Sequence, residues 1–274
     1  MFAWTVEYIR NYNEYGNNAI ISTASNMTLL NEDKIKWMVQ NRVGISASFD
    51  ILPEIQNNQR IFPNNSGSFD IVDTNIKLCI SNGLIPSIRT TITESSVKNM
   101  IQMVRFVIDR YPEIKVIHLE HATLETEKAN DFYKEFIENF FLAKNIARQH
   151  NVEIRNSAYS VGKSIRKSFC GSEYCITPTG DMTSCHRVSL KSDKLYNKFN
   201  YGGNEAVPKN DDFRYSLQNS NRCKECFAKY NCAGGCPYTR AYLSNTGFDS
   251  YCSFVKEMFK RRLLETLNIE IAGG

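Results

Sequence analysis

The 274 residues include 42% hydrophobic side chains, enough core material for one large domain or two small ones. A net charge of +4, without a basic run or an arginine–aromatic patch, leaves no nucleic-acid footprint, and no apolar stretch approaches membrane-spanning length. Nine cysteines in a chain that opens without a signal peptide point to a reducing cytoplasm, where thiolates are available to metals rather than locked in disulfides.

In chain order, helical spacing over residues 4–15 (Trp4, Tyr8, Ile9, Tyr12) ends at Gly16, and an apolar strand follows over 19–23. Asn31 caps a helix running through Gln40, with Ile35, Met38 and Val39 inward. Residues 43–49 read as strand, then an irregular loop reaches Gly67, and Ser68 caps a helix that stops at Gly83. Strand 84–92, helix 95–111, strand 114–119, a long helix over about 124–150 and a short strand at 152–155 complete the first part. Strand and helix alternate, which predicts an α/β fold built from parallel βαβ units. The strands' carboxyl ends, where such folds gather functional groups, then carry Thr23 to Asn26, Ser48 to Asp50, Thr90 to Thr93, and Glu120 with His121.

Eight of the nine cysteines lie from Cys170 onward. Cys223-x2-Cys226 and Cys232-x3-Cys236 have the short spacers that let thiolates converge on one metal, and Gly234 and Gly235 allow a tight bend around it. A disulfide framework conflicts with the compartment, and a packed-thiol role suits a lone cysteine rather than this density. Spacing alone leaves zinc and iron–sulfur both open. Cys79 stands apart, on a helix face beside Ile76 and Ile80, as a core thiol.

The order Cys170, Gly180, Cys185, Cys223-x2-Cys226-x5-Cys232-x3-Cys236, Cys252 resembles the SPASM domain of radical S-adenosylmethionine (AdoMet) enzymes, closest to sulfatase-maturing and peptide-modifying members, which also carry an extra cysteine such as Cys175. Residues 177–187 are similar to that domain's hairpin, with Gly180 as its turn glycine. The resemblance implies two [4Fe–4S] clusters, one on Cys170, Cys175, Cys185 and Cys236 and one on Cys223, Cys226, Cys232 and Cys252. Cys175 is the member whose ligand role varies among relatives.

The first part resembles the radical AdoMet barrel. Thr23-Ala-Ser-Asn-Met-Thr-Leu-Leu, the run from Val43 through Ser48, Asp50 and Ile55 to Arg60, and Ile88-Arg89-Thr-Thr-Ile-Thr follow family segments in order, with Ile51 where glycine is usual and Gln56 where histidine is common. By this resemblance Ser48, Asp50, Arg60 and Arg89 belong to the AdoMet side. The family's Cys-x3-Cys-x2-Cys loop and Gly-Gly-Glu motif are not in this sequence, and the chain opens where the helix after the second barrel strand is expected. The expected fold is therefore a partial (β/α)6 barrel over 1–165 lacking its first two strands, followed by a cysteine-rich SPASM iron–sulfur domain over 166–274.

That resemblance implies a peptide- or protein-modifying maturase, truncated so that AdoMet is bound only in a full-length form, with a peptide or protein substrate and a missing N-terminal segment or partner chain. The alternatives are an inactive or split-chain iron–sulfur electron-transfer or peptide-binding module, and a zinc-stabilised scaffold. His186 follows Cys185 where sulfatase-maturing members carry an acid, so it is the candidate catalytic base; a hydrogen bond to a cluster sulfur is the competing role. His118 and Glu120 alternate on one strand and share a face as a candidate substrate-facing pair, set against a solvated strand end, whereas His121 points away or into the loop.

Overall fold

A computed structural model describes residues 2–12, 16, 18–125, 128–170, 173–201 and 217–267. The chain divides into two compact units, Met1–Ala122 with Lys134–Asn156, and Thr123–Tyr133 with Ser157–Gly274.

In the first unit, β1 (Ile21–Ser25), β2 (Val43–Ser48), β3 (Ser87–Ile92), β4 (Val116–His121) and β5 (Glu153–Arg155) form one all-parallel sheet in sequential order. Parallel neighbours need crossover connections. These are supplied by α2 (Glu32–Gln40), α3 (Pro53–Gln59) with α4 (Phe69–Ser81), α5 (Met100–Arg110) and α6 (Ala129–Gln149), while α1 (Phe2–Tyr12) precedes the sheet. Successive side chains of a strand point to opposite faces. Ile45, Ala47, Ile88, Ile92, Ile117, Leu119 and Ile154 are buried on one face, together with Ile35, Val72, Ile76, Val104, Val107, Phe136 and Phe140 from the helices. The opposite face is polar or small: Gly44, Ser46, Ser48, Arg89, Thr91, His118, Glu120 and Arg155 all keep some exposure.

The expected elements are present, with shifted ends. β2 begins at Val43 as expected, while the other four strands begin one to three residues later than the apolar runs suggest; residues such as Leu84 are buried in the approach to β3 before ladder pairing begins. Residues 13–15 and 126–127, expected at helix ends, lie outside the described residues. Asn31 caps α2 as its sequence predicts, its side chain accepting from the Lys34 N–H at 3.0 Å. Gly83 takes φ 79° just past α4, the left-handed stop that glycine supplies without a Cβ clash.

Two expectations fail between β2 and α4. The loop to Gly67 contains α3, opened by Pro53 at its first turn and held by the buried Ile55. Ser68 makes no side-chain cap; its hydroxyl donates instead to the Arg60 carbonyl. Behind both lies Gln56, only 1% exposed, whose Oε1 accepts from the Asp50 N–H at 2.7 Å and whose Nε2 donates to Ser68 Oγ at 2.8 Å. Ile51, at the position where glycine is usual, adopts φ 68° with its side chain fully buried. Left-handed backbone costs a β-branched residue about 1–2 kcal/mol, less than the roughly 2–5 kcal/mol that a buried isoleucine side chain contributes. Burial wins, so isoleucine is tolerated there.

A buried ion cluster ties α4 to the end of α5. Asp73, 7% exposed, receives both Arg110 Nε and Nη2 at 2.6 Å, the Tyr111 hydroxyl, and Lys77 Nζ at 2.9 Å. Burial opposes its charge, but the hydrogen bonds from Arg110, Tyr111 and Lys77 together outweigh it and hold the carboxyl well below the usual carboxylate range.

Among the described residues, the second unit has little regular structure apart from its final helices. A hairpin of β6 (Cys175–Ile176) and β7 (Met182–Thr183) turns at Gly180, φ 82°. Then α7 (Pro237–Tyr242) leads into α8 (Asn245–Thr266), started by Ser244 Oγ accepting from the Gly247 N–H at 3.1 Å. Phe248, Tyr251, Phe254, Val255, Met258 and Phe259 are the buried face of α8, and Phe254 stacks on Tyr133 with ring centroids 4.6 Å apart. A separate small core of Val188, Leu195, Tyr196 and Phe199 packs against Cys185, Tyr238 and Ala241. No helix among the described residues is long and apolar enough to cross a membrane.

Replacing Asp73 by asparagine should cost about 3 kcal/mol at pH 7, the scale for removing one partner of a buried pair. Because folding depresses this carboxyl, its contribution is complete above about pH 4 and is lost as pH falls below that. Urea denaturation of both proteins checks this: the stability gap should be constant from pH 7 to 5 and shrink only below about pH 4. Gln56→Leu, which orphans the buried Asp50 N–H, should cost about 2 kcal/mol in the same assay; an unchanged midpoint would show that Gln56 does not organise the loop.

Candidate functional site

At the strand ends of the first unit, the structure sorts the four expected AdoMet-side residues into two pairs. Asp50, two residues beyond β2, is 1% exposed and turned into the protein. Arg60 Nε lies 2.7 Å from its Oδ2, while Oδ1 accepts from Thr90 Oγ1 at 3.0 Å and the Thr91 N–H at 3.3 Å. This carboxylate is satisfied by protein donors, and its role is to bind the β2 loop to β3. Ser48 and Arg89 are the second pair, direct cross-strand neighbours on the polar face. Arg89 remains half-exposed, its Nη2 4.0 Å from Glu120 Oε1, the outer limit of an ion pair.

The same register continues as a row: Ser48 beside Arg89, Arg89 beside His118, His118 beside Arg155, with Thr91 beside Glu120 one step further along. His118 and Glu120 share this face, as alternation predicts. Burial, reinforced by Arg89 and Arg155, pushes the His118 imidazole below its usual value against the pull of Glu120, so at neutral pH it is an uncharged donor–acceptor. His121 instead meets Asn156 Nδ2 at 3.3 Å and the edge of Phe136. Arg155 was not singled out by sequence, because its strand is only three residues long, and Thr90 was placed at a strand end without its Asp50 partner being foreseen.

In the second unit, Cys223, Cys226, Cys232 and Cys252 line one cavity of about 30 Å³. Its wall is the turn from 223 to 235 on one side and Phe248, Tyr251, Cys252 and Val255 of α8 on the other. The single helical turn Lys229–Cys232 ends with Ala233 at φ 49° and Gly234 and Gly235 at φ 84° and 80°. Three consecutive left-handed residues reverse the chain immediately after Cys232, leaving its thiol 3.9 Å from where a Gly235 Cβ would stand. A side chain at either glycine would strain this bend.

The other four cysteines are less closely drawn together. Cys185 and Cys236 lie within electrostatic reach of each other, and Cys175 sits in β6 opposite Thr183, beside the Glu173 charge. Cys170 follows a turn closed by Ser168 Oγ donating to its carbonyl at 2.6 Å. His186 is exposed on 73% of its side chain, its Nδ1 3.4 Å from Glu173 Oε2. Glu173, two residues before Cys175, carried no sequence signal beyond that proximity. Cys79 is fully buried, and burial pushes its thiol up to about 11, in keeping with a packed core role.

Burial also pushes the Cys232 thiol up to about 12, with Cys252, Cys223 and Cys226 acting in the same direction. Burial and the neighbouring thiols oppose ionisation of Cys252 too, so these two thiols need a cation to become ligands, and a bound metal deprotonates thiols outright. Among the described residues no three His, Cys, Asp or Glu are close-set as a ready-made site for one ion; the thiols surround a space instead. An all-sulfur donor set with Arg222, Lys229 and Lys256 also on the wall fits a centre that carries net negative charge once four thiolates bind it, as an iron–sulfur cubane does.

No family model matches the chain. A cysteine-type anaerobic sulfatase-maturating enzyme from Clostridium novyi (strain NT) is 21% identical over 287 residues, covering 94% of this chain and 75% of that protein. The solved structure of native anSMEcpe with bound AdoMet and Cp18Cys peptide superposes with a TM-score of 0.74 at 20% identity, covering 98% of this chain and 82% of that one. Native anSMEcpe with bound AdoMet gives 0.72 at 18% identity over 91% of this chain and 74% of that one. In sequence the chain is thus similar to an anaerobic sulfatase-maturating enzyme, and in fold it is similar to the AdoMet-bound anSMEcpe structures.

Proposed function

We propose that this chain is a radical AdoMet/SPASM protein of the peptide- or protein-modifying kind, and that its second unit holds two [4Fe–4S] clusters. The observation that carries the reading is the single cavity ringed by Cys223, Cys226, Cys232 and Cys252, the four residues that the SPASM resemblance assigns to one cluster. Cys170, Cys175, Cys185 and Cys236 would hold the other. Such clusters supply one-electron chemistry beside the substrate. The relatives' AdoMet and peptide complexes support a peptide substrate, and the polar row Ser48, Arg89, His118 and Arg155 is the surface of the first unit best equipped with donors to receive a ligand. His186 is placed on solvent beside Glu173, open to a substrate as a base would need to be.

AdoMet cleavage needs an iron with an open coordination position, normally provided by a Cys-x3-Cys-x2-Cys loop, and the sequence has no such motif. Clusters closed by four thiolates each have no iron to offer. A preceding segment or a partner chain would supply that loop together with the strands beyond β1. β1 ends the sheet among the described residues, and beside it lies a hollow of about 520 Å³ lined by Phe2, Leu30, Trp37 and Met38, among others. Ile21 to Ser25 carries neither lysine nor proline to guard that edge.

The test is an anaerobic assay of the reconstituted chain with AdoMet and a strong reductant. The expected result is no 5′-deoxyadenosine from the chain alone. Its appearance would overturn the split reading and demand an AdoMet-binding iron elsewhere in this sequence.

A further inference from the structure

The two cysteine sets differ in the charges set beside them. The cavity of Cys223, Cys226, Cys232 and Cys252 has Arg222, Lys229 and Lys256 on its wall and no acidic residue among the described residues. Arg222 is neutralised by Asp249. Lys229 and Lys256 have no ion-pair partner among the described residues; Lys229 Nζ lies only over the ring of its neighbour Tyr230, 5.5 Å from the centroid. Lys256 stands one helical turn after Cys252 on α8, and both residues line the cavity. The other set has a carboxylate near it as well as a cation, Arg187, which donates to Thr239 Oγ1 at 3.3 Å. Glu173 precedes Cys175 by two residues and lies 3.4 Å from His186, which immediately follows Cys185.

A cubane bound by four thiolates is a net anion, and reduction adds one further negative charge. Cations against such a centre stabilise its reduced form, whereas a carboxylate destabilises it, and these nearby charges are among the factors that set cluster potentials. We infer that Lys229 and Lys256 make the Cys223/Cys226/Cys232/Cys252 centre the electron sink of the second unit, reduced before the centre beside Glu173. One electron added to the pair therefore resides on the lysine-lined centre, with no bond made or broken. This inference rests on the two-cluster reading and adds to it a direction of electron flow and the residues that impose it.

Reductive titration of the anaerobically reconstituted chain with dithionite, followed by electron paramagnetic resonance, tests this. Two midpoints are expected, and Cys252→Ser should alter the signal belonging to the higher one. Lys229→Gln combined with Lys256→Gln should lower that midpoint at unchanged iron and sulfide content, while leaving the other in place. Glu173→Gln should raise the lower midpoint. If the double variant loses iron, each single variant carries the same expectation. Full iron loading with both midpoints unmoved by the lysine changes overturns the inference alone, as does assignment of the higher midpoint to the other centre. A wild-type chain that takes up no iron and sulfide overturns the two-cluster reading and this inference together.

Discussion

Four thiols around one small cavity impose the strongest constraint on this molecule. Left to themselves, Cys232 and Cys252 resist ionisation, because burial and the neighbouring thiols both oppose their charge. The surrounding elements make sense as devices that hold them together regardless. Ala233, Gly234 and Gly235 reverse the chain in left-handed conformations directly after Cys232, and α8 delivers Cys252 from the far wall with Phe248, Tyr251 and Val255 buried behind it. A unit with so little strand or helix before residue 237 has a modest apolar core, so bonds from thiolate to metal would carry a large share of its folding free energy. The cysteines and the fold of this unit are then one property seen twice.

The first unit is stabilised differently, by conventional burial on one sheet face. That leaves the opposite face free of packing duty, and it is there that Ser48, Arg89, His118 and Arg155 line up across four strands. Asp50 shows how a residue at such a rim can be diverted. Its carboxylate is enclosed by Arg60, Thr90 and the Thr91 N–H, and its own N–H by Gln56, so it shapes the loop that other residues use.

Much of this was legible in the sequence. Period-two and helical patterns are produced by burial itself, so the parallel βαβ order followed from positions such as Ile45, Ala47, Ile117 and Leu119. The gathering of Cys223, Cys226 and Cys232 around one cavity was legible because thiols a few residues apart on tight turns lie close together. What escaped was set by tertiary contact. Nothing local shows that Gln56 substitutes for a histidine by bridging Asp50 and Ser68, or that Ser68 turns from its cap to the Arg60 carbonyl. Helix α3 escaped because a seven-residue helix rich in Asn and Gln has weak propensity and is held by Ile55 and Gln56 packing. Lys256 escaped as well, since a lysine on a surface helix is ordinarily a solvated charge and becomes significant only when α8 aligns it with the cavity.

The central claim is that the second unit binds two iron–sulfur cubanes. Iron and acid-labile sulfide counted per chain after anaerobic reconstitution test it most directly. The account predicts about eight of each, four irons per cubane. Zinc without sulfide, or iron and sulfide sufficient for a single cluster only, would contradict it.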